Sequence, residues 1–352
     1  FPAGSDKRFT IRRARLKATY TNKNTEAVFQ IDATERGVVL KDAFGRVTDP
    51  WTRAFSLKVG AFDRPFGFEV PYSSGSRESP ERARWSQTIF PGERDLGASV
   101  IFQPDSTGKL NYYKAEAGFF NGVGVAPDID FKKDFIGSLY YQRRSANNGF
   151  RIGVGASYYD GGVARGTRFV YRLAEDSVFR FAADSSDAFV FRPEPRRYVG
   201  ANAQMAFRWP AGTTTLRGEY IQGNSVGTSS STSNPQSLPA APPSGFYVRN
   251  FNGAAFYFIH NILKTPLQLV LKYDWYDPNT DVALNDIGQT GSNLTAADIR
   301  FTTLGFGVNW FVTQNAKLLA YYAMPVNERT LLDPWRRDIK DNVLTLRMQY
   351  RF

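Results

Sequence analysis

The chain has 352 residues, with 44 Lys and Arg against 33 Asp and Glu for a net charge of +11, 15% aromatic residues, 30 Gly and no Cys. The absence of Cys excludes disulfides, thiolate metal sites and Cys nucleophiles, and no window approaches a membrane helix's length of uninterrupted apolar residues. The basic residues are spread along the chain and match no nucleic-acid motif, so a nucleic-acid partner is not expected.

Residues 1–7 read as an irregular lead-in, and no charged-then-apolar leader precedes Phe1, so any secretory signal is expected to have been removed or left out. A first strand then runs to Tyr20. Ala14, Leu16, Ala18 and Tyr20 share one face, and Arg13, Arg15 and Lys17 share the other. Three cations along one face repel each other, so that face is hydrated or offered to anions. The turn T-N-K-N-T leads to a second strand carrying Ala27, Phe29, Ile31 and Ala33 opposite Gln30, Asp32 and Thr34. It extends, with a bulge near Gly37, as far as Val47. After T-D-P-W comes a third strand through Phe55, Leu57, Val59 and Ala61. A long insertion, 68–95, follows, and loops of that length are usually functional or disordered.

From there the rhythm is regular. Strands are expected at 96–103, 110–120, 135–143 and 150–160, and a further hairpin or a structured loop at 166–183. A clear hairpin, 196–209 with 213–222, turns at P-A-G. Residues 223–245 form a Ser/Gly/Pro/Asn loop. Strands at 246–260, 267–275, about 303–310 and 316–323 complete the series. The last segment, N-V-L-T-L-R-M-Q-Y-R-F at 342–352, puts Leu344, Leu346, Met348, Tyr350 and Phe352 on one face and Arg347, Gln349 and Arg351 on the other.

Alternation alone fits a soluble sandwich or a membrane barrel. The connections decide between them. They alternate long and short, and Trp51, Trp209 and Trp310 sit beside the short turns, where an interfacial aromatic girdle belongs. The reading is an all-β fold: a single-domain transmembrane antiparallel β-barrel over 1–352 in the bacterial outer membrane. Periplasmic turns are short, extracellular loops are long, and both chain ends are expected on the turn side. Fourteen strands are clear, and sixteen, the favoured number, if 166–183 is a hairpin.

Several stretches carry a resemblance: R-F-T-I-R-R-A-R-L near the start, L-K-V-G-A-F-D-R-P-F-G at 57–67, R-D-L-G-A-S at 94–99, L-R-G-E-Y-I-Q-G at 216–223, K-Y-D-W-Y-D-P-N-T at 272–280, N-D-I-G at 285–288 and T-L-G-F-G-V-N-W at 303–310. In consistent order over nearly the whole chain, they resemble the phosphate-selective porin O and P family. The resemblance implies a sixteen-stranded trimeric channel with an arginine-lined lumen and a loop folded into the pore.

On the non-oily parity stand Arg13, Arg15, Lys17, Arg36, Lys58, Lys114, Arg151, Arg208, Arg217, Lys272, Arg347 and Arg351, outnumbering the acids Asp32, Glu116, Glu219 and Asp274. Rings of Arg and Lys draw anions into a pore, and the Arg fork suits phosphate or carboxylate. The plainer account is that these cations pair with the acids and brace the wall. The 68–95 loop is the candidate constriction, through Tyr72, Ser73, Ser74, Arg77, Arg82 and Arg84. His260, the one histidine, has no Ser/Asp constellation near it in sequence, so no catalytic site is expected. Asp274, Asp277, Asp281, Asn285 and Asp286 could offer calcium oxygen ligands, but their spacing matches no EF-hand and suits turns equally. No cofactor is expected. The expected partners are outer-membrane lipid and lipopolysaccharide, small anions, and further copies in a homotrimer or a larger envelope complex. Two functions follow: a passive channel for small anionic solutes such as phosphate, or a plugged barrel serving as scaffold or subunit of an envelope assembly.

Overall fold

The computed structural model describes residues 7, 9–35, 37–104, 108, 110–128, 131–145, 149–175, 177–234 and 245–352. Phe, Tyr and Val recur along the extended segments, and β-branched and aromatic side chains fit a pleated surface. Seventeen strands form among these residues: β1 (Ala14–Asn22), β2 (Thr25–Thr34), β3 (Gly37–Thr48), β4 (Phe55–Asp63), β5 (Arg94–Phe102), β6 (Tyr113–Phe120), β7 (Asp134–Arg144), β8 (Phe150–Ala164), β9 (Phe169–Glu175), β10 (Phe179–Ser185), β11 (Pro193–Trp209), β12 (Gly212–Gly227), β13 (Phe246–Ile262), β14 (Leu267–Asp277), β15 (Phe301–Phe311), β16 (Ala316–Asn327) and β17 (Val343–Tyr350). One short helix, α1 (Arg84–Ile89), lies in the loop between β4 and β5.

The wall is a continuous antiparallel meander. Each strand from β1 to β8 pairs with the next. β8 then pairs with β11, and pairing runs on in order to β17. β9 and β10 form a hairpin that leaves the wall between β8 and β11 and touches the start of β13 in parallel. The segment at 166–183 is thus a hairpin, standing outside the meander.

The seventeen strands exceed the fourteen or sixteen expected for a second reason. The stretch 25–48 does not bulge and continue. It reverses at Glu35 into a hairpin of β2 with β3, and the bulge itself falls between Gln30 and Ile31. Gly37 takes φ +117°, a conformation open to Gly and strained for other residues, which lets the chain reverse over so few residues. The additional strand also reverses the direction in which β1 enters the wall. β1 starts at the long-loop end and β17 finishes at the turn end, so the first and last strands do not begin and end on one side as the sequence suggested. β1 and β17 run the same way, and no ladder joins them among the described residues. Both reach the same loop inside: Arg15 of β1 donates to Ser74 at 2.8 Å, and Gln349 of β17 donates to the Gly75 carbonyl at 2.8 Å.

Burial separates a barrel in lipid from a sandwich in water. The oily parity faces outward along the wall: Leu57 and Val59 are 50% exposed, Phe119 60% and Leu346 76%. A sandwich would bury those side chains against a second sheet. Here they form the apolar belt that a transmembrane barrel turns to hydrocarbon. Trp51, Trp209 and Trp310 stand exposed at the turn end. Trp275 clusters with Tyr220, Phe256 and Tyr273 near the loop end, making a second girdle.

A charge introduced into that belt should cost far more than one placed inside. Leu346→Arg is expected to destabilise the folded barrel by about 2–4 kcal/mol, the range for a cation near the bilayer midplane. Thr345→Arg, on the inner face, should cost much less. Urea unfolding in phospholipid vesicles measures both. Equal losses would mean the outer face does not meet lipid.

Candidate functional site

The chain from Arg64 to Glu93 folds inward. Its base is fixed to the wall by buried polar contacts. Arg64 pairs with Asp95 at 2.9 Å, the Gly67 amide donates to Ser157, and the Phe68 and Glu69 amides donate to the Glu219 carboxylate at 3.0 and 2.8 Å. Tyr257 donates to Glu69 at 3.0 Å. An aromatic core then seals the loop against one side of the barrel. Phe66, Trp85, Ile89 and Phe90 pack with Tyr159, Tyr198, Phe251 and Tyr276 of the wall. Two wall glycines make room for it. A Cβ at Gly200 would stand 2.9 Å from the Phe66 ring, and one at Gly253 would stand 2.7 Å from the Trp85 Cβ.

Beyond this core the polar tip, residues 72–81, meets the inner face of six strands. Arg217 of β12 reaches Glu78 at 3.4 Å. Lys272 of β14 donates to the Glu81 carbonyl, Asn309 of β15 to Glu78, Lys317 of β16 to Arg77 at 3.0 Å, and Arg347 of β17 to Pro80 at 3.2 Å. On the β1 side, Glu81 is met by Arg12 at 2.6 Å and Arg13 at 3.6 Å.

The three loop arginines differ in what is left of their hydrogen-bonding capacity. Arg82 is spent on structure, donating to the Glu69, Val70 and Tyr72 carbonyls and to the Glu93 carboxylate. Arg84 opens α1. Its amide donates to Asp274 and its guanidinium lies 3.9 Å over the Phe301 ring. Arg77 is 1% exposed, yet its Nε and Nη1 have no hydrogen-bond partner. Nε and Nη2 of Arg347 are buried and unpartnered as well. Arg77, Arg347 and Arg351 all lie close enough to Lys317 to repel its ammonium. Tyr72 donates to Glu78 at 2.9 Å, Ser74 accepts from Arg15, and Ser73 sits exposed beside Gly75.

The wall cations divide in the same way. Arg15 pairs with Asp32 at 3.1 Å, Lys58 with Glu116 at 3.0 Å and Lys272 with Asp274 at 3.1 Å. Lys17, Lys114, Arg208 and Arg351 are exposed, and Arg151 is half-buried. Arg36 falls outside the described residues. Sequence reasoning missed Lys317, whose inward parity could have revealed it, and Arg144, which sits one position past the expected end of its strand. His260 accepts or donates at 3.0 Å with Thr214 and lies beside Trp209. The candidate calcium ligands do not converge: Asp281 accepts from Asn250 and Asp286 from the Ala283 amide. Among the described residues no group of His and acidic side chains is arranged to hold a metal.

Glu93 closes the loop onto its own base. Burial would raise its carboxyl, but Arg82, Lys41 and Arg94 around it hold it down at about 2. Burial and the nearby Arg77 lower Arg82 to about 10, so both partners stay charged at neutral pH. A carboxyl whose folded value lies below its unfolded one stabilises above the ordinary Glu range and loses that effect as pH falls through the folded value. Single-channel noise from the loop should therefore be flat from about pH 7 down to about pH 5, where this carboxylate stays ionised. Glu93→Gln should bring flickering at neutral pH. Quiet traces from Glu93→Gln would show that the latch does not hold the loop.

No protein-family description matches the chain, and no curated protein matches it. Solved structures do. The chain is similar to OprB of Pseudomonas putida, at 10% identity and a TM-score of 0.61 over 96% of this chain and 86% of that one. It is similar to OmpF of Salmonella typhi, at 11% identity and a TM-score of 0.54 over 97% and 88%. It is also similar to the outer membrane channel DcaP of Acinetobacter baumannii, at 12% identity and a TM-score of 0.52 over 97% and 84%. With its outward apolar belt and antiparallel meander, the chain has the fold of a bacterial outer-membrane β-barrel.

Proposed function

We propose that the protein is an outer-membrane porin, a passive channel for small anionic solutes such as phosphate. The observation that carries this reading is Arg77: a guanidinium held inside the barrel, 1% exposed, with two donor atoms that no protein group accepts from. These buried donors are out of a solute's reach, so the guanidinium acts on a passing anion through space, by its charge. Arg347, Lys317 and Arg351 beside it raise the local anion concentration. The 64–93 loop sets the size limit by crossing from the aromatic core to the β15–β1 side. The bidentate Arg fork suits phosphate and carboxylate, in keeping with the resemblance to phosphate-selective porins. The barrel works as a homotrimer whose outer belt meets lipid and lipopolysaccharide.

In planar bilayers under a potassium chloride gradient, the reversal potential should take the sign of anion preference. Cation preference would overturn the reading. A barrel that inserts without conducting would make it a plugged scaffold instead.

A further inference from the structure

A cavity of about 420 Å³ lies on the turn side of the loop. Its ceiling is Phe68, Tyr72 and Glu78, and its walls include Gln142, Arg144, Arg151 and Gln204. Three features set it apart from the cation cluster at Arg77.

The first is a like-charge pair. Arg144 of β7 and Arg151 of β8 are direct cross-strand partners. Like charges opposite each other on one face of an antiparallel pair are destabilising unless a counter-charge sits between them. The only acid lining the cavity is Glu78, which Arg217 and Tyr72 already engage. A smaller cavity of about 270 Å³ continues toward the turns, is lined by the same two arginines, and adds Arg208. The turn end of this side is thus a funnel of three arginines. None of them makes an ion pair among the described residues.

The second is an aromatic surface. The Phe68 and Tyr72 ring centroids lie 4.6 Å apart with the planes tilted by 38°, both half-buried at the cavity ceiling. The Arg217 guanidinium lies 4.1 Å over Phe68 and 4.7 Å over Tyr72, which fixes both rings in place. Inorganic phosphate or chloride has no use for such a surface. A flat apolar body does.

The third is the rim. Gln142, Gln204 and Thr215 add neutral donors and acceptors between the arginines and the rings. The lining is mostly polar, its apolar part being Phe68, Tyr72 and Ile259, and the volume falls in the range that organic-ligand sites occupy.

Resting on the anion-channel reading and deepening it, we infer that this cavity is a binding station for an organic anion with a flat apolar body, of the aromatic carboxylate class. The carboxylate engages Arg144 and Arg151, and the ring lies against Phe68 and Tyr72. A solute leaving the funnel meets the aromatic ceiling before it reaches the loop tip.

The test compares benzoate with acetate as blockers of chloride current through the wild-type channel in planar bilayers. The two share a carboxylate and differ in the ring. Benzoate should reach half-block at roughly fivefold to tenfold lower concentration, the ratio that aromatic ring contacts supply. Phe68→Leu should bring benzoate to the acetate level and leave acetate unchanged. The Arg144→Gln/Arg151→Gln double variant should weaken both. Equal block by benzoate and acetate in the wild type overturns the station, whatever the variants do. Cation preference in the chloride gradient overturns the anion reading instead, so the two failures are distinct.

Discussion

Arg77→Ala is expected to reduce the preference for anions about tenfold, read as a shift of the reversal potential toward zero. That factor corresponds to about 1.4 kcal/mol. The size follows from where the charge sits. Two unit charges about 4 Å apart interact by about 1 kcal/mol in bulk water and about 4 kcal/mol at the effective dielectric of a protein surface. A pore interior lies between those limits. The backbone at this position should stay in place when the side chain is removed, because Lys317 holds the Arg77 carbonyl and Arg82 holds the Tyr72 carbonyl from below. The variant therefore reads charge and not collapse of the loop. Arg84→Ala is the control, since that guanidinium rests on Phe301 away from the tip. An unchanged reversal potential in Arg77→Ala would move the selectivity filter elsewhere.

Deleting the tip, residues 73–80, and closing the gap with two glycines should raise single-channel conductance several-fold while the barrel still folds. The aromatic core that anchors the loop lies outside the deleted stretch: Phe66, Trp85, Ile89 and Phe90 stay packed on Tyr159, Tyr198 and Phe251. The deleted residues supply the contacts to β12, β15, β16 and β17. Their removal leaves the far wall bare and widens the narrowest passage. It also leaves Lys317 and Arg347 without the carbonyls they now bond, so the widened pore should stay anion-preferring. Conductance at the wild-type value would mean that current passes the loop on another side.

Much of this architecture is local and therefore legible. The side-chain period of a strand is two residues, so the sequence alone separates Leu344, Leu346 and Met348 from Thr345, Arg347 and Gln349, whatever the rest of the chain does. Turn length and the placing of Trp51, Trp209 and Trp310 are also written in sequence, and they turn the oily side toward lipid. The hairpin at Glu35 was illegible because Asp32, Gly37, Asp42 and Gly45 are spread singly among the oily residues of 27–47, with no cluster of turn residues to mark the reversal. Only the ladder between β2 and β3 shows the reversal.

The charges are a different matter. Sequence gives the list of inward cations, and a list does not show which of them are neutralised. Lys58 meets Glu116 and Arg94 meets Asp42 across one intervening strand, and Arg15 meets its direct cross-strand partner Asp32, because strand register sets which inward side chains come together. Arg82 looked like a filter residue and is a brace, while Arg77, five positions earlier, keeps two donors free. That difference comes from the inward fold of the loop. Gly200 and Gly253 admit Phe66 and Trp85 to the wall, and the aromatic core so formed carries the tip toward the opposite strands. Alternation is a property of neighbouring residues, so the sequence determined which face each side chain takes. Ion pairing acts through space over a few ångströms, so only the tertiary structure decided which charges remain for a passing solute.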